Sequence, residues 1–124
     1  MAGLTLDTGA LIAYERGQER IRKILAVGYE RGFVPTIPAI ALAEVWRGDP
    51  KDARIARLLK ACSIEVVDEK LARTAGSLRR ATPGAGAIDA CIAVGVRRRG
   101  DAVATSDPND MRALLGNDFT ILAV

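Results

Sequence analysis

The sequence predicts an α/β protein in which a mostly parallel sheet of four to five strands is covered by helices on both faces. Short runs rich in Val, Ile, Leu and Thr alternate along the chain with longer helical patterns, as in successive βαβ units. These runs are apolar at almost every position, as in strands that are buried on both faces. The 124 residues, 49% of them hydrophobic, suit one domain, which we expect to span residues 1–124.

The predicted strands are short apolar runs that end at a turn or at the start of a helix. They cover residues 3–6, 33–37, 64–67, 102–105 and 119–122. The predicted helices show apolar stripes at helical spacing, with Thr8 as the cap of the first and Pro38 in the first turn of the third. They cover residues 8–14, 18–30, 38–46, 49 to about 63, 68–81, 87–98 and 109–115.

The composition excludes several classes of enzyme. The chain has no histidine, which removes Ser-His-Asp and Cys-His hydrolases and histidine-ligated zinc sites. Cys62 and Cys91 are isolated in apolar or helical stretches, so we expect buried free thiols. We find no apolar run of membrane-spanning length and no secretory leader, and we therefore expect a cytoplasmic protein.

Four acidic residues, Asp7, Glu44, Asp89 and Asp107, stand inside or at the end of otherwise apolar runs. An ionised carboxylate among apolar neighbours is costly unless it is paired, hydrogen-bonded or bound to a metal. Most other acids lie beside arginines or in polar turns, where we expect them to be solvated. Asp49, Asp52, Asp68 and Asp101 belong to this second group. The four exceptions therefore predict a single acidic site.

The predicted sheet brings two of these acids together. Asp7 directly follows the first strand and Asp107 closely follows the fourth, and ligands of parallel sheets gather beyond the carboxyl ends of strands where the strand order reverses. Adjacent first and fourth strands would place both acids at that edge. Oxygen-rich acidic sites suit Mg²⁺ or Mn²⁺, and these hard ions in turn suit phosphate substrates.

Each acid also has an ordinary structural explanation. Asp7 could be the polar end of a strand, and Glu44 could form an ion pair with Arg47. Asp89 could accept hydrogen bonds from backbone amides near the start of its helix, although the apolar helix around it favours a side chain that points into the protein. Asp107 could cap the helix that follows it. The joint pattern is more specific than any one of the four.

That joint pattern resembles the PIN-domain family, and within it the small VapC-type toxin ribonucleases. The segments 4–8, 43–45, 88–93 and 105–107 are similar to the four motifs of the family in order and spacing, and the match covers nearly the whole chain. The fourth motif departs from the family pattern. It has Ser106 where arginine or asparagine is common, and Asp110 followed by Met111 where the family often has an aromatic residue.

The resemblance implies a PIN-like three-layer α/β/α fold and a metal-dependent endoribonuclease that leaves a 5′-phosphate. Asp7, Asp89 and Asp107 would be the main ligands of one or two Mg²⁺ or Mn²⁺ ions, and Glu44 would ligate as well or would orient or deprotonate the attacking water. The implied partners are a tRNA or ribosomal RNA substrate, a cognate VapB-type antitoxin and a second copy of the chain in a homodimer. The clustered arginines could contact phosphates, and Thr8, Thr105 and Ser106 could support the ligands.

Three other interpretations start from the same residues. The segment 7–9 matches the Asp-Thr-Gly motif of aspartic proteases, but those enzymes are almost entirely β, whereas helical segments dominate here. Phosphotransferases with a strand-end aspartate use an Asp-x-Asp arrangement, which Gly9 excludes. The remaining alternative is a degenerate PIN-like protein that binds RNA or acts as a scaffold without cleaving.

Overall fold

The first strand is buried at every position and lies in the middle of the sheet. The structure, a computed structural model that describes residues 3–124, has five strands in one sheet, ordered β3-β2-β1-β4-β5. The strands are β1 (Leu4–Leu6), β2 (Thr36–Pro38), β3 (Ser63–Glu65), β4 (Ala102–Thr105) and β5 (Ile121–Ala123). All four neighbouring pairs are parallel, so the predicted fold class is confirmed, with a wholly parallel sheet in the described chain.

Seven helices connect these strands. They are α1 (Thr8–Glu15), α2 (Glu19–Glu30), α3 (Ala39–Val45), α4 (Ala53–Leu59), α5 (Glu69–Ala81), α6 (Ala87–Arg99) and α7 (Pro108–Leu115). Helix α1 contacts α2, α3 and α4, and helix α6 contacts α5 and α7. Because parallel crossovers are right-handed, connections that run toward β3 and connections that run toward β5 lie on opposite faces of the sheet. The result is the expected α/β/α arrangement, and no helix in residues 3–124 is long and apolar enough to cross a membrane.

Helix α6 is buried along most of its length. Residues 90–96 are all buried, and the helix packs against α3, α5 and α7. Its last turn carries Arg97, Arg98 and Arg99, whose charges suit the negative end of the helix dipole. Gly100 ends the helix with φ of 69°, a left-handed conformation that glycine adopts without strain. Strand β4 starts two residues later, at Ala102.

The predicted and observed element bounds differ most at the sheet edges and next to prolines. Strand β2 begins at Thr36, three residues later than predicted, and includes Pro38, which the pattern assigned to the following helix. Strand β3 ends at Glu65, and Val66 and Val67 are exposed. Pairing with neighbouring strands sets these bounds, since apolar runs extend beyond the residues that have a partner.

Two acids expected to be solvated are buried. Asp52 accepts backbone hydrogen bonds from Arg47, Gly48 and Asp49, which fixes the turn between α3 and α4. Asp101 is only 4% exposed and directly precedes β4. Polar neighbours in sequence therefore gave the wrong prediction for these two side chains, because backbone amides satisfy Asp52 and an ion pair satisfies Asp101.

Arg99 joins β1, β3 and the residue before β4 through one hydrogen-bonded network. Its guanidinium pairs with Glu65 of β3, donates to Asp101 at 2.8 Å and donates to the Thr5 hydroxyl at 2.9 Å. Thr5 in turn donates to Asp101 at 2.8 Å. Helix α6 approaches closely enough that a Cβ on Gly95 would stand 2.1 Å from the Glu65 carboxylate. The network thus needs both a glycine in α6 and a cation at its end.

We expect Arg99→Met to lower the free energy of unfolding by about 3–5 kcal/mol, because it leaves two acids in a largely buried place without a cation. Urea unfolding followed by circular dichroism measures the change. Arg98→Met is the matched control, since Arg98 is exposed and its loss should cost within about 0.5 kcal/mol. Equal losses in the two variants would show that the network does not stabilise the fold.

Candidate functional site

The carboxyl ends of β1 and β4 form the point where the strand order reverses. Leu6 pairs with Ala104, and the backbone N–H of Asp7 donates to the carbonyl of Ala104 at 3.2 Å. This bond continues the strand pairing by one residue and holds the loops after β1 and β4 together. The first and fourth strands are therefore neighbours, as the positions of the two strand-end acids predict.

Asp7 is buried and is itself the cap of α1. Its Oδ1 accepts from the backbone N–H of Ala10 at 2.9 Å, so the predicted cap at Thr8 is wrong by one residue. Burial raises the pKa of Asp7 from its ordinary 3.8 to about 6. Hydrogen bonds from Thr105 and Ala10 oppose the rise in pKa, while the charges of Asp89 and Asp107 add to it. One oxygen of Asp7 thus caps α1, while burial and the neighbouring acids disfavour the ionised form of the carboxylate.

Asp89 lies near other acids rather than near a cation. It lies half-buried in the first turn of α6, whose N-cap makes no side-chain hydrogen bond. Burial raises its pKa, and the charges of Asp110, Asp107 and Glu44 raise it further. The sequence predicts that Asp89 points into the protein, and in the structure it is only partly buried. Being near the helix start, Asp89 lies where α6 meets the loops at the sheet edge.

Glu44 is exposed, which corrects the inference that its apolar neighbours bury it. On α3, Ala41 and Val45 are buried, while Glu44, three residues after Ala41, lies beside that buried face and is exposed. Its Oε1 accepts a hydrogen bond of 2.6 Å from the Thr8 hydroxyl of α1. Thr8 thus orients Glu44, a role that the strand-to-helix spacing alone does not reveal.

Asp107 is also exposed and stands at the N-cap position of α7 without making a capping bond. Its backbone N–H donates to the Thr105 hydroxyl at 2.9 Å, which fixes the loop after β4. Asp110 lies in the first turn of α7. Its charge acts on Asp89, so the structure adds it to the acids that gather here.

The ordinary alternatives explain little of this cluster. Arg47, the expected partner for an ion pair with Glu44, instead binds both carboxylate oxygens of Glu15 at 2.7 and 2.8 Å. Within residues 3–124, none of the five gathered acids forms an ion pair with a lysine or arginine. These acids are Asp7, Glu44, Asp89, Asp107 and Asp110. Unpaired carboxylates that repel one another are the donor set that a hard divalent cation would neutralise.

The acids lie near one another but are not arranged around a single ion position. In the described part of the chain, no three acidic or cysteine side chains are already placed to ligate the same ion. The residue types nevertheless fit Mg²⁺ or Mn²⁺, since all the converging donors are carboxylate oxygens. Cys62 and Cys91 are free thiols, half-buried and buried respectively.

Gly9 allows the two loops of the site to touch. A Cβ on Gly9 would stand 1.9 Å from the Ser106 hydroxyl and 2.9 Å from the Ser106 backbone nitrogen. These distances are shorter than van der Waals contact, so no other residue fits without moving the loop that carries Asp107. The sequence shows this glycine beside Asp7, but only the fold shows what it touches.

This chain is similar to a known protein family and to several solved structures. The PIN domain family matches residues 4–114. A chain of the VapBC2 complex from Rickettsia felis, bound to a DNA fragment from its promoter, has a TM-score of 0.78 at 14% identity, covering 98% of each chain. A chain of the DNA-bound VapBC complex from Salmonella typhimurium has a TM-score of 0.76 at 21% identity, covering 99% of this chain and 98% of that one.

A third similar structure, FitAcB from Neisseria gonorrhoeae, has a TM-score of 0.69 at 23% identity over 96% of each chain. No curated protein matches the sequence closely enough to count as a relative. At these identities the structural likeness speaks for the fold, whereas the family match covers most of the chain, including all four sequence motifs. The chain therefore belongs to the PIN domain family, whose members are generally nucleases.

Proposed function

We propose that the chain is a metal-dependent endoribonuclease and the toxin of a type II toxin-antitoxin system. The observation that carries the proposal is the convergence of unpaired acids from β1, α3, α6 and the start of α7 at one edge of the sheet. Apart from the cap that Asp7 provides to α1, these acids have no cationic partner in residues 3–124, whereas the buried acids elsewhere are paired with Arg99 or with backbone amides. The cluster suits a cation that in turn binds a phosphate.

Asp7, Asp89 and Asp107 would hold one or two Mg²⁺ or Mn²⁺ ions, with Glu44 beside them. When bound, such an ion neutralises phosphate charge and lowers the pKa of a water molecule that can attack the phosphodiester. Asp7 is held by the first turn of α1, and Asp107 by the Thr105 hydroxyl. Glu44, whose Oε1 is bound by Thr8, keeps Oε2 to orient the water or to accept its proton.

The substrate side of the proposal rests on the basic surface near α6. An open concavity of about 880 Å³ is lined by the end of α5 and by the loop that leads to Asp89. Arg79 and Arg80 line it and form no ion pair within residues 3–124, so both can contact phosphates. The RNA backbone would cross this surface to reach the acids. We propose tRNA or ribosomal RNA as the substrate.

The similar structures support an antitoxin as the protein partner of this chain. These are VapBC and FitAB complexes, and one is a toxin-antitoxin complex from Klebsiella pneumoniae. They support the proposal that a cognate VapB-type antitoxin holds this chain inactive, and the family resemblance supports a homodimer.

The central experiment is cleavage of total tRNA and ribosomal RNA by the purified protein with Mg²⁺, Mn²⁺ or EDTA. We expect discrete cuts with either metal and none with EDTA. Asp89→Asn should slow cleavage by about a hundredfold or more, because it removes a ligand from the centre of the acidic cluster. Asp118→Asn, which removes an exposed acid outside the cluster, is the matched control and should cut normally. Identical activity of both variants, or no cutting with any metal, would favour a non-catalytic RNA-binding or scaffold protein.

The raised pKa of Asp7 predicts how stability depends on pH. The folded metal-free protein holds a proton on Asp7 up to about pH 6, whereas the unfolded chain releases it near 3.8. The folded state therefore binds more protons between these values, and the free energy of unfolding should fall by about 2 kcal/mol as pH rises from about 4 to about 6. Urea unfolding of wild type and Asp7→Asn in EDTA, across this range, measures the difference.

Asp7→Asn should abolish that part of the slope and should be the more stable protein at pH 7 without metal, since the amide is never ionised. With Mg²⁺ or Mn²⁺ the wild type alone should gain stability at neutral pH. Parallel pH profiles for the two proteins in EDTA would show that Asp7 titrates normally and that the electrostatic argument for a cation is wrong.

Gly9→Ala should reduce kcat by about a hundredfold, because the added methyl displaces Ser106 and the loop that carries Asp107. Gly28→Ala on α2 is the control, as a Cβ there comes no closer than 3.9 Å to a neighbouring atom. Circular dichroism separates loss of folding from loss of alignment, and Gly9→Ala combined with Ser106→Gly should recover part of the activity. Full activity in Gly9→Ala would show that the position of Asp107 is unimportant.

A further inference from the structure

Trp46, the only tryptophan of the chain, follows α3 directly and lies two residues after Glu44. It is 45% exposed, although tryptophan is a residue that folded proteins usually bury. Exposure of one apolar side chain is common and proves nothing by itself. Its position two residues after Glu44 and the residues around it suggest a role in binding.

A small recess connects Trp46 with the candidate site. Its volume is about 210 Å³, and it lies between α1 and the end of α3. The residues that line it are Ile12, Glu15, Arg16, Glu44, Val45, Trp46 and Arg47. Pockets that enclose a drug-sized ligand measure roughly 300–1,000 Å³, so this recess is better suited to one flat group lying against a wall. Because Glu44 lines it, any such group would lie next to the reacting phosphate.

Trp46 is held in place by its neighbours in the chain. Its backbone N–H donates to the carbonyl of Leu42 at 3.0 Å. The N–H of Arg47 donates to the buried carboxylate of Asp52. The Arg47 guanidinium also binds Glu15 of α1 through two hydrogen bonds. The backbone on both sides of the indole is therefore fixed before any ligand binds, which lowers the entropy lost on binding.

The charges of the recess suit a nucleotide. Arg47 is neutralised by Glu15, whereas Arg16 is exposed and forms no ion pair in the described chain. Arg16 can therefore contact a phosphate while the indole of Trp46 contacts a base. Aromatic rings and arginines are the groups on which unpaired RNA bases stack and to which their phosphates bind.

We propose that Trp46 is the stacking platform for an unpaired RNA base next to the phosphate that is cut, with Arg16 binding the adjacent phosphate. The proposal rests on the function proposed above. It adds that the enzyme requires a single-stranded nucleotide on the α3 side of the acids. A protein segment could also cover an exposed indole, but continuity with Glu44 and the exposed Arg16 favour the nucleotide.

Fluorescence of the single tryptophan tests stacking without any need for cleavage. In the background of Asp89→Asn, a short oligoadenylate should quench Trp46, whereas an abasic strand with the same sugar-phosphate backbone and charge should not. Equal quenching by both strands, or quenching by neither, overturns the proposal, because the indole would then not contact a base.

Kinetics on the RNA that the wild type cuts give the second test. Trp46→Ala should raise KM by about tenfold or more while kcat changes little, and Trp46→Phe should recover most of the loss. Tyr29→Ala is the matched control, since Tyr29 is an aromatic residue of similar exposure, 43%, on α2. An unchanged KM in Trp46→Ala, with normal folding by circular dichroism, overturns the stacking role.

The two proposals fail in different ways. If the wild type cuts no RNA with any metal but oligoadenylate still quenches Trp46, the nuclease proposal fails and base stacking stands. If cleavage is metal-dependent and Trp46→Ala cuts normally but escapes inhibition by the antitoxin, the nuclease stands and the recess is a protein interface instead.

Discussion

The parallel pairing of β1 with β4 is the constraint on which the candidate site depends. It continues through the bond from the Asp7 N–H to the carbonyl of Ala104, so the two strands end side by side. Gly9 then allows α1 to start against Ser106 with no side chain between them. The other acids of the cluster, which lie on α3, α6 and at the start of α7, gather around the ends of these two strands.

The acids of this chain fall into two physical groups. Glu65, Asp101 and Asp52 are buried or nearly so, and each has a cation or several amides as partners. The acids at the sheet edge have no cationic partner in the described chain, and burial and mutual repulsion raise the pKa values of Asp7 and Asp89. The acids that stabilise the fold are thus paired, whereas the acids of the candidate site lack a cation, and the fold separates the two groups in space.

Helix α3 illustrates how one short element serves several purposes. It supplies Ala41 and Val45 to the core and presents the exposed Glu44 to the Thr8 hydroxyl. The turn after it is fixed by Asp52, which also fixes the backbone next to Trp46. A carboxylate and an indole are in this way held side by side on a rigid support, with an exposed arginine across the recess.

The sequence by itself determined the alternation of strands and helices, the positions of Asp7 and Asp107 after β1 and β4, and the family resemblance. These features depend on local patterns, namely apolar periodicity and the residue that follows each run.

Only the tertiary structure decided which acids are buried. Apolar neighbours in sequence predicted burial of Glu44, which is exposed, and polar neighbours predicted exposure of Asp52 and Asp101, which are buried. The direction of a side chain depends on which face of its helix or turn meets the core, and its cost depends on its partners, which for Asp101 are Arg99 two residues away and Thr5 of β1. The same reason explains Thr8 and Gly9, whose roles arise from contacts with Glu44 and Ser106 that only folding creates.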